Sequence, residues 1–100
     1  MKYQVKSQKL QDVQANTIRF TAPAQDLGSV ASNALSIPLE DLFDSSEIAD
    51  FKIHVASRVL VAKNLTDSTS LTPSISGESL VLTDVAMAKS DILDIVIKIK

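Results

Sequence analysis

Apolar residues recur at every second position near the end of this chain, and this periodicity constrains the fold more than any other feature of the sequence. They are Leu93, Ile95, Ile97 and Ile99. Because successive side chains of a β-strand point to opposite faces, a period of two places these residues on one face of a sheet. The closing segment is therefore predicted to be a half-buried strand, with Asp94, Lys98 and Lys100 on its other face.

Similar alternation predicts strands along the whole chain. The predicted strands cover residues 2–8, 17–21, 35–39, 50–55, 59–62, 79–83 and 91–100. Pro23 ends the second strand because it has no N–H for the ladder, and Gly77 permits a hairpin turn after Ser76. The polar residues 11–16 are predicted to form a turn, and residues 24–33 and 64–74 to form loops. Residues 84–90 admit a turn of helix.

Residues 35–44 allow two interpretations. Leu35, Ile37 and Leu39 alternate with polar residues and with Pro38, which indicates a strand at the edge of a sheet. Alternatively, Ser36 caps a short helix over residues 38–44. We favour the edge strand, followed by a helical turn over residues 40–43.

About seven short strands, with turn signals roughly every 8 to 12 residues and no long helical pattern, predict an all-β fold. The expected architecture is a single antiparallel β-sandwich, which leaves room for a short helical turn. One hundred residues without an internal repeat are typical of one domain, which we expect to span residues 1–100.

Composition argues against several classes of function. The chain has no cysteine, which excludes a disulfide framework, a thiolate nucleophile and a cysteine zinc site. A net charge of −2 and only four aromatic residues (one Tyr, three Phe) argue against nucleic-acid binding. We expect no contact with a membrane, because no apolar run approaches the ~18 residues that a spanning helix needs. Residues 1–6 lack the apolar region of a signal peptide.

Chemistry-bearing residues form no recognisable catalytic motif. His54 is the single histidine, and on the predicted strand it lies opposite the face of Phe51, which favours a surface position. Asp91 and Asp94 are close in sequence but lack the cleft that paired catalytic carboxylates require. Five acids within residues 40–50 could suit calcium, although the EF-hand spacing is missing. We expect no catalytic residue, no cofactor and no bound metal.

Two groups of residues are candidates for contact with partner subunits. The first is the predicted edge strand with the acidic run that follows it: Leu35, Ile37, Leu39, Glu40, Asp41, Asp44 and Glu47. The second is the basic face of the predicted first strand, represented by Lys2 and Lys6. Lysines on an exposed strand also block edge-to-edge aggregation. The functional alternative is a basic strip that meets the acidic run of another copy.

The order of elements in residues 50–100 supports a family resemblance. The matching segments are residues 50–55, 56–60, 79–83 and 89–97. They resemble a small β-sandwich module of tailed-bacteriophage virion proteins, of the capsid-decoration and tail-fibre-associated type. That family runs through an F-x-V-x-V strand, a tight turn, a return strand, a polar loop, a short apolar strand and a G-D-x-I-x-I-x-I closing strand. The resemblance implies a structural or attachment module without catalytic residues.

We therefore expect a non-enzymatic structural protein of a phage virion. It would bind neighbouring capsid or tail subunits in many copies, as a capsid decoration protein or an accessory head or tail protein, and would form a homo-oligomer. The alternative is a receptor- or glycan-binding module of a tail fibre or adhesin, with residues 64–74 as its contact loop. A small enzyme or metal protein is a third hypothesis with little support in the sequence.

Overall fold

The computed structural model describes residues 10–14 and 17–98, and it shows two antiparallel sheets around one shared core. In chain order the described strands are β1 (Leu10–Gln14), β2 (Thr17–Pro23), β3 (Ser29–Ala31), β4 (Ala34–Pro38), β5 (Val59–Asn64), β6 (Thr69–Ser70), β7 (Thr72–Ser76), β8 (Ser79–Thr83) and β9 (Ile92–Lys98). The first sheet has the order β1-β2-β9-β5-β6, and the second has the order β3-β4-β8-β7. The predicted all-β sandwich is confirmed; seven of these strands have five residues or more.

The core follows the alternation of the sequence on the central strands. Its fully buried members on these strands are Ile18, Phe20, Leu35, Ile37, Leu80, Leu82, Leu93, Ile95 and Ile97. Between Leu93 and Ile97 the polar side chain of Asp94 faces away from this cluster, as predicted. Ile99 and Lys100 lie outside the described residues, as does the predicted strand over residues 2–8.

Short helices connect strands at two places in the chain, between β2 and β3 and between β4 and β5. They are α1 (Ala24–Leu27), a 3₁₀ turn (Leu39–Asp41), α2 (Ser45–Ile53) and α3 (Val55–Arg58). The 3₁₀ turn and the residues after it agree with the helical turn predicted over residues 40–43, and the alternative helix over residues 38–44 is wrong because β4 continues to Pro38.

The predicted strand over residues 50–55 is wrong, because residues 50–53 belong to α2, His54 forms a bend and Val55 begins α3. Phe51 is buried against Phe43, with ring centroids 4.7 Å apart, whereas Ile53 is 76% exposed. The inward residues Ile48, Phe51 and Val55 are three and four positions apart, which is the spacing of one helix face. The alternation of Phe51, Ile53 and Val55 was therefore a coincidence within a helix.

Several predicted loops contain regular structure. Residues 11–14 belong to β1, residues 24–33 contain α1 and β3, and residues 64–74 contain β6 and the start of β7. The short strands β3 and β6 contain few apolar residues, so their pairing depends on the neighbouring strand more than on their own sequence. The turn of helix considered for residues 84–90 is absent; that segment forms bends and a turn.

Two tight hairpins shape the second sheet. Gly77 and Glu78 connect β7 to β8, with Ser76 opposite Ser79 and Gly77 at a φ of +58°, so the predicted hairpin is confirmed. Ser32 and Asn33 connect β3 to β4 and both have positive φ angles. Asn adopts this conformation more readily than most residues. The side-chain oxygen of Asn33 also accepts a hydrogen bond from the backbone N–H of Met87 at 3.2 Å.

Candidate partner-binding surfaces

The predicted edge strand is a central strand, and its apolar residues cannot contact a partner. β4 lies between β3 and β8, with Leu35 opposite Leu82 and Ile37 opposite Leu80. Leu35, Ile37 and Leu39 are fully buried in the core. Pro38 is compatible with this position because it pairs with Ser79 at the very end of the strand. The partner-binding prediction for these three residues is therefore wrong.

The acidic run over residues 40–50 is on the surface, but it is not a uniform patch. Glu40 and Asp44 are exposed, whereas Asp41 and Glu47 are half-buried. Asp44 and Glu47 form a reciprocal capping box at the start of α2, in which the backbone N–H of Asp44 donates to Glu47 Oε1 at 3.3 Å. These two carboxylates satisfy backbone donors that the first turn of a helix leaves without intrahelical partners. Part of the predicted docking patch is thus a helix cap.

The end of the acidic run is engaged within the chain. Asp50 forms an ion pair with Arg58, and its Oδ1 lies 3.3 Å from Nδ1 of His54. His54 is exposed and ends α2, where its backbone N–H donates to the carbonyl of Asp50 at 3.2 Å. Arg58 directly precedes β5, so this ion pair ties the end of α2 to the start of that strand.

The calcium interpretation of the acidic run is not supported by geometry. Across residues 17–98, no three His, Asp or Glu side chains converge closely enough to hold a metal ion. Lys2 and Lys6, which represent the predicted basic strip, lie outside the described residues.

A buried polar cluster at one end of the sandwich was missed by sequence reasoning. Asn64 is fully buried, and its Nδ2 donates to Asp84 Oδ2 and Asp91 Oδ2, each at 3.0 Å. Its Oδ1 accepts from the backbone N–H of Thr66 at 3.0 Å. Thr69 donates through its hydroxyl to Asp84 Oδ1 at 2.8 Å. The cluster joins the end of β5 in the first sheet to the segment after β8 in the second.

Hydrogen bonds determine the ionisation of this cluster. Burial raises the pKa of Asp84, but hydrogen bonds from Asn64, Thr69 and nearby backbone N–H groups outweigh burial and hold the pKa below its ordinary value. The pKa of Asp91 is also lowered, first by the backbone N–H of Ala88 and then by the Asn64 amide, against burial and the negative charge of Asp84. Both carboxylates are therefore ionised at neutral pH.

The geometry of the polar cluster indicates a structural role. Among the described residues, every buried side-chain nitrogen and oxygen has a hydrogen-bond partner, and a fully satisfied network rigidifies the segments that it joins.

Asp91 and Asp94 do not form a catalytic pair: Asp94 instead accepts two hydrogen bonds from Arg19, each at 3.0 Å, and one from Thr21. The sequence carries no local signal for the cluster, because Asn64 and Asp84 are 20 positions apart.

The bulged strand β5 presents the apolar surface that best suits a partner. Its register against β9 shifts between Val59 and Val61, so one extra residue is inserted at Leu60. Val59 and Ala62 pack against the core, whereas Leu60 and Val61 are 52% and 39% exposed. The bulge thus places two adjacent apolar side chains on the outside of the sheet.

A shallow groove of about 320 Å³ runs beside these residues. It is lined by residues 59–63 of β5 together with Ser70, Leu71 and Pro73. In the described part of the chain, β6 pairs with β5 only at Lys63 and Asn64, so residues 59–61 have a strand neighbour on one side only. We call this groove and the exposed Leu60 and Val61 the β5 groove.

Comparisons with known protein families, characterised proteins and solved structures find no match for this chain. Among the described residues, no helix has both the length and the apolar character required to cross a membrane. The assignment of function therefore depends on the surfaces described above and on the sequence resemblance.

Proposed function

We propose that this protein is a non-enzymatic structural protein of a phage virion, which binds neighbouring virion subunits in many copies. It would act as a capsid decoration protein or as an accessory head or tail protein. The sandwich fold agrees with the architecture that the resemblance implies. The helical structure of residues 50–55 departs from the strand that opens the family pattern, so the support from sequence comes from residues 56–100.

The observation that carries the proposal is the β5 groove. An exposed apolar pair beside an unpaired strand edge is a liability for an isolated molecule, because such edges recruit other chains. Proteins usually protect these edges with charged residues or proline. Proline occurs at Pro73 on the neighbouring edge strand β7, but residues 59–62 contain neither a charge nor a proline. A partner subunit that covers Leu60 and Val61 explains this contrast.

Many copies on one particle together supply the affinity that a single β5-groove contact lacks. A groove of this size can bury only a few side chains, and a single small interface is weak and transient. When many copies occupy a symmetric particle, each additional contact is formed at high effective concentration.

Incorporation into particles tests this function. Particles assembled with the Leu60→Glu variant should contain at least about tenfold less of the protein, because an interfacial apolar anchor would be replaced by a charge. Ser29→Glu is the matched control, since Ser29 is exposed on β3 at the opposite edge of the other sheet. Circular dichroism should show the same fold for both variants. Normal incorporation of a folded Leu60→Glu variant would contradict the proposal.

The receptor- or glycan-binding alternative loses much of its contact surface. The loop predicted over residues 64–74 consists of a turn over residues 65–68, between β5 and β6, and the start of β7. Only the turn remains as a displayed segment. Specific binding of the isolated protein on a glycan array would favour this alternative.

A further inference from the structure

We infer that the outer face of the first sheet, beside the β5 groove, binds a second copy of this chain at the acidic turn that follows β4. This inference rests on the proposed function, because it names the neighbouring subunit as another copy. We call the outer-face residues Val61, Lys63, Val96 and Lys98 the basic face, and we call Glu40 and Asp41 the acidic turn.

The basic face results from the alternation of β9 and from its register with β5. Val96 and Lys98 alternate with the buried core residues of β9, so their side chains lie on the side of the sheet that points away from the core. Val61 is opposite Val96, and Lys63 lies two residues further along β5 on the same side. Two valines therefore lie between two lysines on an open sheet surface, where Val61, Lys63 and Lys98 are exposed.

The two lysines leave positive charge on this surface. Within residues 17–98, neither Lys63 nor Lys98 forms an ion pair. Asp94, which is opposite Lys63 in register, is engaged by the guanidinium of Arg19, with two contacts of 3.0 Å. The outer face therefore combines an apolar pair with two cations that an acidic neighbour can contact.

The acidic turn provides the complementary charges. No basic residue occurs between positions 40 and 50. The later acids of this run belong to the capping box of α2 or to the ion pair with Arg58. Glu40 is exposed and Asp41 is half-buried, and neither forms an ion pair in the part of the chain from residue 17 to residue 98. These two carboxylates are therefore available to another chain.

The acidic turn is accompanied by an exposed apolar residue. Ile53 is 76% exposed at the end of α2, the helix that follows the turn. Ala49 is exposed one turn earlier, so this side of the helix is open to a neighbour. Ile53 can pack on the two valines while the lysines contact the carboxylates, which gives the apolar centre and charged rim of a protein interface.

The signs of the charges favour a head-to-tail contact between copies. Two basic faces repel each other, and so do two acidic turns, whereas a basic face attracts the acidic turn of a neighbour. The acidic turn follows a strand of the second sheet, and the basic face points away from that sheet, so the two surfaces lie on different sides of one molecule. Such a heterologous contact builds rings or filaments, which suits a protein present in many copies.

Charge reversal with rescue tests the contact. We would measure the mass of the full-length chain by analytical ultracentrifugation at about 50 mM salt, where surface charges are weakly screened. The wild type should associate as its concentration rises. Lys63→Glu with Lys98→Glu, and separately Glu40→Lys with Asp41→Lys, should weaken self-association at least about tenfold, because each variant presents two surfaces of like charge. Mixing the two variants should restore association, because the reversed face of one attracts the reversed turn of the other.

The rescue distinguishes a lost contact from a misfolded variant. Lys89→Glu is the control, since Lys89 is exposed outside both surfaces, and this variant should associate as the wild type does. A wild-type chain that stays monomeric up to about 1 mM would overturn the inference. Two reversed variants that stay monomeric when they are mixed would overturn it as well.

Failure of this inference and failure of the proposed function give different results. If Leu60→Glu is lost from particles while the wild type does not self-associate, the proposed function stands and the contact between copies is wrong. If Leu60→Glu is incorporated normally while the charge-reversed variants rescue each other, the proposed function fails and the contact between copies stands.

Discussion

The amide nitrogen of Asn64 lies 3.0 Å from Oδ2 of Asp84, and this hydrogen bond connects the last residue of β5 to the residue that follows β8. The two strands belong to different sheets, so the bond closes one end of the sandwich with a polar contact. The same nitrogen also reaches Asp91, ahead of β9. One buried side chain therefore holds together three segments that are far apart in the sequence.

Replacing Asn64 should destabilise the protein strongly. Asn64→Ala removes the donor shared by two ionised carboxylates and leaves Asp84 largely buried without it, which we expect to cost about 2–4 kcal/mol. Urea denaturation measures the loss. Lys63→Ala, at the exposed neighbouring position, is the control and should change stability by less than about 0.5 kcal/mol. A similar midpoint for both variants would show that the cluster contributes little.

The stability of the protein should fall in acid. The pKa values of Asp84 and Asp91 are lowered in the folded state, so the folded protein binds these protons more weakly than the unfolded chain does. Their contribution is complete above the ordinary carboxyl pKa and is lost as the pH falls from about 4 through the folded values. Denaturation midpoints measured between neutral pH and pH 2 should show this decline, and Asp84→Asn should reduce its slope. An unchanged slope in Asp84→Asn would contradict the assignment.

The two glycines should respond very differently to alanine. A Cβ at Gly28 would lie 2.1 Å from the backbone oxygen of Ser36, so the β3–β4 region must shift and we expect a loss of at least about 2 kcal/mol. At Gly77 a Cβ meets nothing within 4 Å, and only the positive φ angle is unfavourable, which costs roughly 1–2 kcal/mol. Thermal denaturation of both variants gives the comparison. A Gly28→Ala protein as stable as the wild type would show that Gly28 and the backbone oxygen of Ser36 are not in tight contact.

The contribution of the capping box at the start of α2 to the stability of the protein should be measurable. Asp44→Ala removes the side chain that caps the helix and should lower the free energy of unfolding by about 1 kcal/mol. Glu40→Ala, in the preceding 3₁₀ turn, should have a smaller effect. Equal effects in chemical denaturation would argue against the cap.

Because Asp44→Lys would damage the helix, Glu40→Lys with Asp41→Lys is the better charge reversal for testing partner docking by the acidic run.

Much of the sandwich could be predicted from the sequence because its central strands bury one face. The alternation of Ile18 with Phe20 and of Leu80 with Leu82 corresponds to real strands with those residues inward. Prediction failed at residues 50–55, where alternation and a helical period share Phe51 and Val55. The capping sequence of Asp44 and Glu47 was the signal that could have decided between them.

The candidate surfaces were less predictable than the fold. Leu35 and Ile37 were expected at an edge because Pro38 follows them, but strand order depends on pairing between distant segments. Asn64 and Asp84 are 20 positions apart, and no local pattern indicates that they meet. The exposure of Leu60 and Val61 results from a bulge, which depends on how β5 aligns with β9.

Local periodicity was sufficient to predict an all-β sandwich, because period-two alternation leaves each central strand with one face to bury. Long-range pairing sets which strands lie at the edges, how the acidic residues are engaged, and which apolar residues stay on the surface. These features arise from pairings between segments distant along the chain, and their energies are set by register, burial and hydrogen-bond partners that no local pattern of residues specifies.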